Sequence, residues 1–302
     1  MSLVVWFVLA GLVLMLLFLQ HVRHREETGS DPLVSPGLFA NRQMTGGLLM
    51  FFFQFLVMMG LFFAIPLYLS VALGLSAIDT GIKLLPLSVT MLLAAAGVPK
   101  FYPAASPRRV VNVSLMVAVA GIVWLFTAMD AKATAEIVTG PLLLIGLGMG
   151  GLASQLGAVT VSAVPDSQTP EVGGLQNTAS QFGASLGTAL AGSILIAALT
   201  ASFLTGIDQN PAVPNEVVAQ ANVQLSSGGE FISDAQLESA LLDAGLDEQT
   251  TQEIVDVNDQ ARADGLRATL ALLALFAVIA LFFTRRIPTV QPTGSPPDAA
   301  QA

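Results

Sequence analysis

Apolar runs long enough to cross a bilayer alternate with short polar stretches along nearly the whole chain. A spanning helix needs about 20 predominantly apolar residues. Seven stretches fit: residues 3–20, 46–69, 80–98, 110–129, 137–162, 174–200 and 266–284. Each is expected to be helical, because lipid offers the backbone no hydrogen-bond partner and a helix satisfies its own groups. The first run is also short enough for a secretory signal. However, Arg23 and Arg25 follow it instead of preceding it, and no small-residue cleavage pattern closes it, so it reads as a span. The pattern predicts an all-α fold, a polytopic membrane helix bundle. Its parts are a first span (1–20), a loop (21–45), a five-helix core (46–200), a hydrophilic segment (201–265), a last span (266–284) and a disordered tail (285–302).

Composition supports the membrane class. Only 11% of residues are charged and 54% are hydrophobic, whereas soluble domains carry about 25% charge. The net charge of −9 is local: 12 of the 21 carboxylates lie between Asp208 and Asp264. That acidic stretch carries a helical pattern from Ser233, with Gln236 three residues on in the manner of a capping box. With no cysteine there is neither a disulfide framework nor a thiolate metal site. His21 and His24 flank Val22-Arg23 at the end of the first span and read as interfacial basic residues, so no metal or other cofactor is expected. No basic patch of the kind that binds nucleic acid is present.

Lys and Arg in the loops orient the chain. With seven spans, Arg23, Arg25, Arg42, Lys100, Arg108, Arg109, Arg285 and Arg286 share one side, and Lys83, Lys132, Arg262 and Arg267 the other. The richer side is expected to be cytoplasmic, in a plasma or inner cell membrane, with the N-terminus outside and the C-terminus inside. Residues 201–265 then lie outside.

Candidate chemistry is confined to amides and small residues. In the run 174–200, Gln176, Ser180, Gly183, Gly187 and Ala191 fall on one stripe, with Asn177, Gln181, Ala184 and Thr188 beside it. Gly183-x-x-x-Gly187 permits close backbone approach, and so does Gly146-x-x-x-Gly150. The latter sits in a GxGxxG string, but without a strand or a βαβ unit around it the string carries no dinucleotide reading. Gln54 and Gln155 are isolated amides in apolar runs. Each of these amides either bonds across packed helices or lines a polar cavity. No Asp, Glu, Lys or Arg lies in the middle of any span, and no catalytic triad or HExxH set occurs. An enzyme is therefore not expected.

Several stretches in order resemble the C-terminal half of a Major Facilitator Superfamily transporter, in its drug:proton antiporter branch with fourteen spans. They are the loop 31–39 followed by Asn41-Arg42, Pro66-Leu-Tyr-Leu69, Gly74-Leu-Ser76, the run Gly81-Ile-Lys-Leu-Leu-Pro86, the glycines from Gly146 to Gly151, and residues 165–191 with Pro165, Gly173, Gly174, Asn177, Gln181, Gly183 and Gly187. Ser70 and the weakly basic turn 97–109 depart from the family pattern. The resemblance implies efflux of small hydrophobic or cationic molecules in exchange for protons. Gln54, Gln155, Gln176, Asn177 and Gln181 would line the cavity, and Gly81, Pro86, Gly146, Gly150, Pro165, Gly173, Gly174, Gly183 and Gly187 would serve helix packing or gating. It also implies that the N-terminal half, with its coupling carboxylate, is missing, so that a partner half or a second copy is needed. The alternative is a non-transporting membrane protein, or a half-transporter subunit that depends on a partner.

Overall fold

The computed structural model describes residues 3–27, 35–129, 134–211, 213–214, 216–219, 221 and 234–291. Among them are seven helices long and apolar enough to cross a membrane. These are α1 (Leu3–Glu27), α2 (Arg42–Leu67), α3 (Ala77–Phe101), α4 (Pro107–Ala128), α5 (Thr139–Val161), α6 (Thr169–Gln209) and α8 (Glu248–Phe283), with the short α7 (Asp234–Asp243) between the last two. No strand occurs among the described residues.

Local sequence sets the helix ends. The Asn41 side chain caps α2 by accepting from the backbone N–H groups of Gln43 and Met44. Pro66, which cannot donate to the helical ladder, precedes a single wide π turn at Tyr68–Ala72 that closes the same helix. Ser76 caps α3, Pro107 opens α4, and Asp247 caps α8 by accepting from Thr250. Gly245, at φ +85°, reverses the chain after α7. The bonds Gly245 N–H to Leu242 and Leu246 N–H to Leu241 complete a Schellman ending. Ser233, the cap expected from sequence, lies outside the described residues.

α2–α4 and α5, α6, α8 form two three-helix units, each contributing its first helix to the other's second. α2 packs along α6 and α3 along α5, the two most extensive pairings; α4 packs on α5, α8 on α6, and the two touch each other. This is the exchange expected of an inverted repeat, although no sequence repeat is visible. Glycines set the distance at both crossings. A Cβ on Gly187 would overlap the Leu56 carbonyl, 2.8 Å from its carbon, and one on Gly183 would lie 3.0 Å from the Phe52 carbonyl carbon. At the α3–α5 crossing, a Cβ on Gly146 would lie 3.0 Å from the Leu87 carbonyl carbon and one on Gly150 2.9 Å from that of Met91. Gly81, Gly173 and Gly174 differ: nothing lies within 4 Å of a Cβ built there, because they sit on outward faces. The packing role expected of these three is not found within this bundle.

Three boundaries differ from the sequence expectation. The run 174–200 is the inner part of a 41-residue helix, about 60 Å long at 1.5 Å per residue and twice a hydrocarbon core. α8 likewise begins well before residue 266. Their projecting ends pack together through Leu199, Phe203, Ile207, Ile254 and Ala261, with Val213 and Val218. The stretch 201–265 therefore includes a packed helical hairpin extension. In the turn before α6, only Pro165 and the 3-10 turn Asp166–Gln168 lie outside the helix; Gly173 and Gly174 are already helical. Finally, residues 287–291 are not loose. Ile287 is fully buried, and the segment is bonded to the start of α4. The rest of the expected disordered tail lies outside the described residues.

Candidate functional site

The contacts assign the loops to two ends. At one end Asn41 donates to the Ala163 carbonyl at 2.7 Å and Gln43 to that of Val159 at 2.7 Å. The Ser35 N–H donates to Glu171 at 2.9 Å. Arg108 donates to the Ile287 carbonyl at 2.9 Å and to that of Arg285 at 2.5 Å. The starts of α2, α4 and α6 and the end of α8 thus share one end, along with Arg42, Lys100, Arg108, Arg109, Arg285 and Arg286. At the opposite end Lys83 pairs with Glu136 at 2.6 Å, Arg267 with Asp264 at 3.2 Å, and Arg262 with Asp259. Ser202 also donates to Asp264, at 2.8 Å.

The sequence-predicted amides separate into two groups. Gln54, Gln155 and Gln176 sit between helices. Gln54 is 4% exposed, and its Nε2 donates across to the Met149 carbonyl of α5 at 3.2 Å. That contact fixes the amide orientation, since the reverse would face two oxygens, and leaves Oε1 buried without a partner among the described residues. Gln155, also buried, donates to Ser154 at 3.3 Å and accepts from Gln291 at 3.4 Å. Gln176 is half-buried and donates to the Thr160 hydroxyl, joining α6 to α5. Of the prolines named from sequence, Pro86 lies inside the continuous helix α3, where the Thr90 hydroxyl donates back to its carbonyl at 2.8 Å; Pro165 is exposed.

Asn177 and Gln181 form the second group. They lie with Ser185 and Thr188 on an exposed face of α6, about 135° around the helix from the glycines at 100° per residue. The two hydroxyls return their protons to the carbonyls of Gln181 and Ala184, at 2.8 and 3.0 Å. The two amides make no side-chain hydrogen bond among the described residues. Other outward faces are apolar: α4 presents Val113, Met116, Val123, Trp124 and Phe126, and α3 presents Ile82, Leu85, Val89, Leu92 and Leu93. α1 exposes Trp6, Phe7 and the leucines that follow. Beside the polar face, α2 and α6 border an open apolar groove of about 460 Å³ that includes Phe52, Phe182, Leu48 and Arg286.

The structure therefore puts Gln54 between α2 and α5 and Gln155 against the tail, with Asn177 and Gln181 on a separate face. The tail contact at Gln155 and the division of labour between Arg108 and Arg109 have no counterpart in the sequence reading. A Pro-rich tail and an Arg-Arg pair carry no periodicity to place them. Among the described residues no three side chains of metal-ligand type come together.

The Major Facilitator Superfamily model matches residues 1–188. Similar proteins include the tetracenomycin C resistance and export protein of Streptomyces glaucescens, 30% identical over 57% of this chain and 32% of that protein. The multidrug efflux pump LfrA of Mycolicibacterium smegmatis is 25% identical over 86% of this chain and 50% of its own length. The puromycin resistance protein pur8 of Streptomyces alboniger is 29% identical over 66% and 40%. The chain thus spans between a third and half the length of these relatives. The family match covers more than half of the chain, which carries seven helices long and apolar enough to cross a membrane, and the chain belongs to the Major Facilitator Superfamily.

Proposed function

We propose that this bundle is one side of an efflux transporter for small hydrophobic or cationic molecules, and that the exposed polar face of α6 borders the translocation path. The observation that carries the reading is that face itself. An amide moved into hydrocarbon without a partner costs about 4–8 kcal/mol. Asn177 and Gln181 are exposed on a helix otherwise apolar enough to span a membrane. The low-energy surroundings for such a face are water, a polar substrate, or a second helical bundle, while the apolar outward faces of α3 and α4 take the lipid. Relatives named for export and resistance to antibiotics support the substrate class.

In this reading Gln181 and Asn177 hydrogen-bond a partly desolvated substrate. Gln54 holds α2 against α5, Gln155 holds α5 against the tail, and the free acceptor of Gln54 is available to a donor entering between the helices. The basic end is cytoplasmic, by the asymmetry of Lys and Arg. Proton antiport needs a titratable group within the membrane. The α6 stripe has none, so the coupling carboxylate belongs to a second bundle, and fourteen spans in total fit the branch that the sequence resembles.

The test is drug efflux from cells at matched expression. Gln181→Leu and Asn177→Leu should lower efflux while leaving membrane insertion intact; unchanged efflux in both removes the face from the path. A second reading, a half-transporter subunit inactive alone, is favoured by the greater length of the relatives. Expression of the 302-residue chain by itself and together with a candidate second bundle separates the two: efflux only in the pair supports the subunit.

A further inference from the structure

The two ends of the bundle handle their cations differently. At the acidic end Lys83, Arg262 and Arg267 each pair with a carboxylate. At the other end Arg108 turns inward onto the carbonyls of Arg285 and Ile287. Its neighbour Arg109 and, across the turn, Lys100 are exposed. Neither has a carboxylate partner among the described residues, and no Asp or Glu occurs in sequence between Asp79 and Asp130.

Of these two cations, Arg109 borders a groove. Where α3 ends and α4 begins, Val98, Tyr102, Val110 and Val113 line a groove of about 350 Å³, with Arg109 among its walls. Tyr102 is 68% exposed and Val113 54%, so the groove is open to the outside of the bundle. Lys100 lies over the Phe101 ring at 5.9 Å. Aromatic residues and Lys or Arg at a helix end mark the headgroup level of a bilayer. The groove therefore joins unpaired positive charge and a phenol, at headgroup depth, to a valine-lined channel that continues along α4 toward the hydrocarbon.

We infer that this groove binds an anionic phospholipid. Arg109 holds the phosphate, the Tyr102 hydroxyl hydrogen-bonds the headgroup, and one acyl chain lies along Val98, Val110 and Val113. A zwitterionic lipid offers the same chain and phosphate but adds an ammonium that Arg109 repels, so the site favours phosphatidylglycerol over phosphatidylcholine. A basic pocket between spanning helices is a general form of anionic-lipid recognition. The inference requires only that the bundle sits in a bilayer, and it stands whether or not the chain transports anything.

Native mass spectrometry of the purified 302-residue chain, titrated with each lipid, tests it. The unmodified chain should retain phosphatidylglycerol in preference to phosphatidylcholine. Arg109→Gln should cut that preference about five-fold, the equivalent of about 1 kcal/mol per cation. Arg285→Gln removes one charge at the same end outside the groove and should leave the preference unchanged. Val113→Trp fills the apolar channel without touching charge and should also displace the lipid, with Val123→Trp, at an exposed position further along α4, as the folding control. A loss in Arg285→Gln equal to that in Arg109→Gln overturns the site in favour of diffuse charge. Retention in Val113→Trp overturns the acyl channel, and a thermal shift with inorganic phosphate equal to that with the lipid reduces the site to a phosphate site. Equal retention of the two lipids by the unmodified chain also overturns it.

Discussion

Replacing Gly187 by alanine tests whether the α2–α6 crossing is set by backbone contact. The added methyl would lie 2.8 Å from the carbonyl carbon and Cα of Leu56. Carbon atoms rest at about 3.5–4.0 Å, so the helices must part by roughly 0.7–1.2 Å. The obstacle is main chain on a helix and cannot rotate away. Overpacking of this kind costs about 1–3 kcal/mol, with the upper end expected against backbone; the better helix propensity of alanine returns about 1 kcal/mol. The net expectation is a loss of about 2 kcal/mol. Gly81→Ala in α3 meets open space and keeps only the propensity gain, so the two variants should differ by about 3 kcal/mol. Gly183→Ala asks for the same separation of the same two helices. Once the helices have parted for one methyl, the second is nearly accommodated, and the double variant should cost clearly less than the sum of the singles. Reversible unfolding in mixed micelles, followed by far-UV circular dichroism, gives all four values. Gly187→Ala as stable as Gly81→Ala, or strict additivity of the pair, refutes close packing as the origin of the crossing.

Further outcomes follow from the charged groups. Arg262 is 1% exposed and ion-paired with Asp259, whose side chain is 34% exposed; the carboxylate left by Arg262→Ala is partly solvated, so the cost in the same unfolding assay should fall below the ~3–5 kcal/mol of a fully buried pair and exceed the at most about 1 kcal/mol of Lys83→Ala, whose partner is largely exposed. The Asp247 carboxyl is held below its ordinary value of 3.8, chiefly by the hydrogen bond from the Thr250 side chain and then by the Thr250 backbone N–H. Its capping contribution is therefore present above pH 3.8 and lost as the pH falls below that value through the folded-state pKa; Asp247→Asn should flatten that acid limb in hydrogen exchange at the start of α8. Arg108→Gln removes the donors that hold the tail carbonyls and should expose residues 287–291 to limited proteolysis, while Arg109→Gln should not.

Length and apolarity were enough to place the spans, because lipid enforces continuous helices, and every expected run lies, to within a residue at its ends, inside a helical stretch long and apolar enough to span. The GxxxG spacing in α5 and α6 also pointed to faces where backbones meet. The extensions of α6 and α8 were not legible, because their outer turns are stabilised by contacts between distant segments such as Phe203 and Ile254, while their composition resembles a solvated acidic loop. The inverted exchange of α2–α6 and α5–α3 was hidden for a related reason: it is a symmetry of packing, satisfied by glycine on α6 in one crossing and on α5 in the other. For the candidate site, residue type identified the amides, but orientation decided their roles. Gln176 and Asn177 are adjacent in sequence, yet one bonds to Thr160 and the other is exposed.

The absence of cysteine makes the environment of the α6 face directly measurable. Single cysteines at Asn177, Gln181, Ser185 and Thr188 report through a membrane-impermeant thiol reagent, which reacts with the thiolate and therefore only where water reaches the site. Cysteines at Val113, Met116 and Val123 on α4 give the lipid-facing reference, being comparably exposed on the bundle. If α6 borders an aqueous path, its four positions should label well above the α4 set, and a transported compound added beforehand should protect Gln181 and Asn177 more than Thr188. Labelling as low as that of the α4 set would mean that the polar face is sealed by another helix, with its amides bonded across that contact as Gln54 is bonded to Met149. In that event the stripe is an adhesive surface between bundles, and Gln181→Leu should weaken their association before it alters any substrate contact.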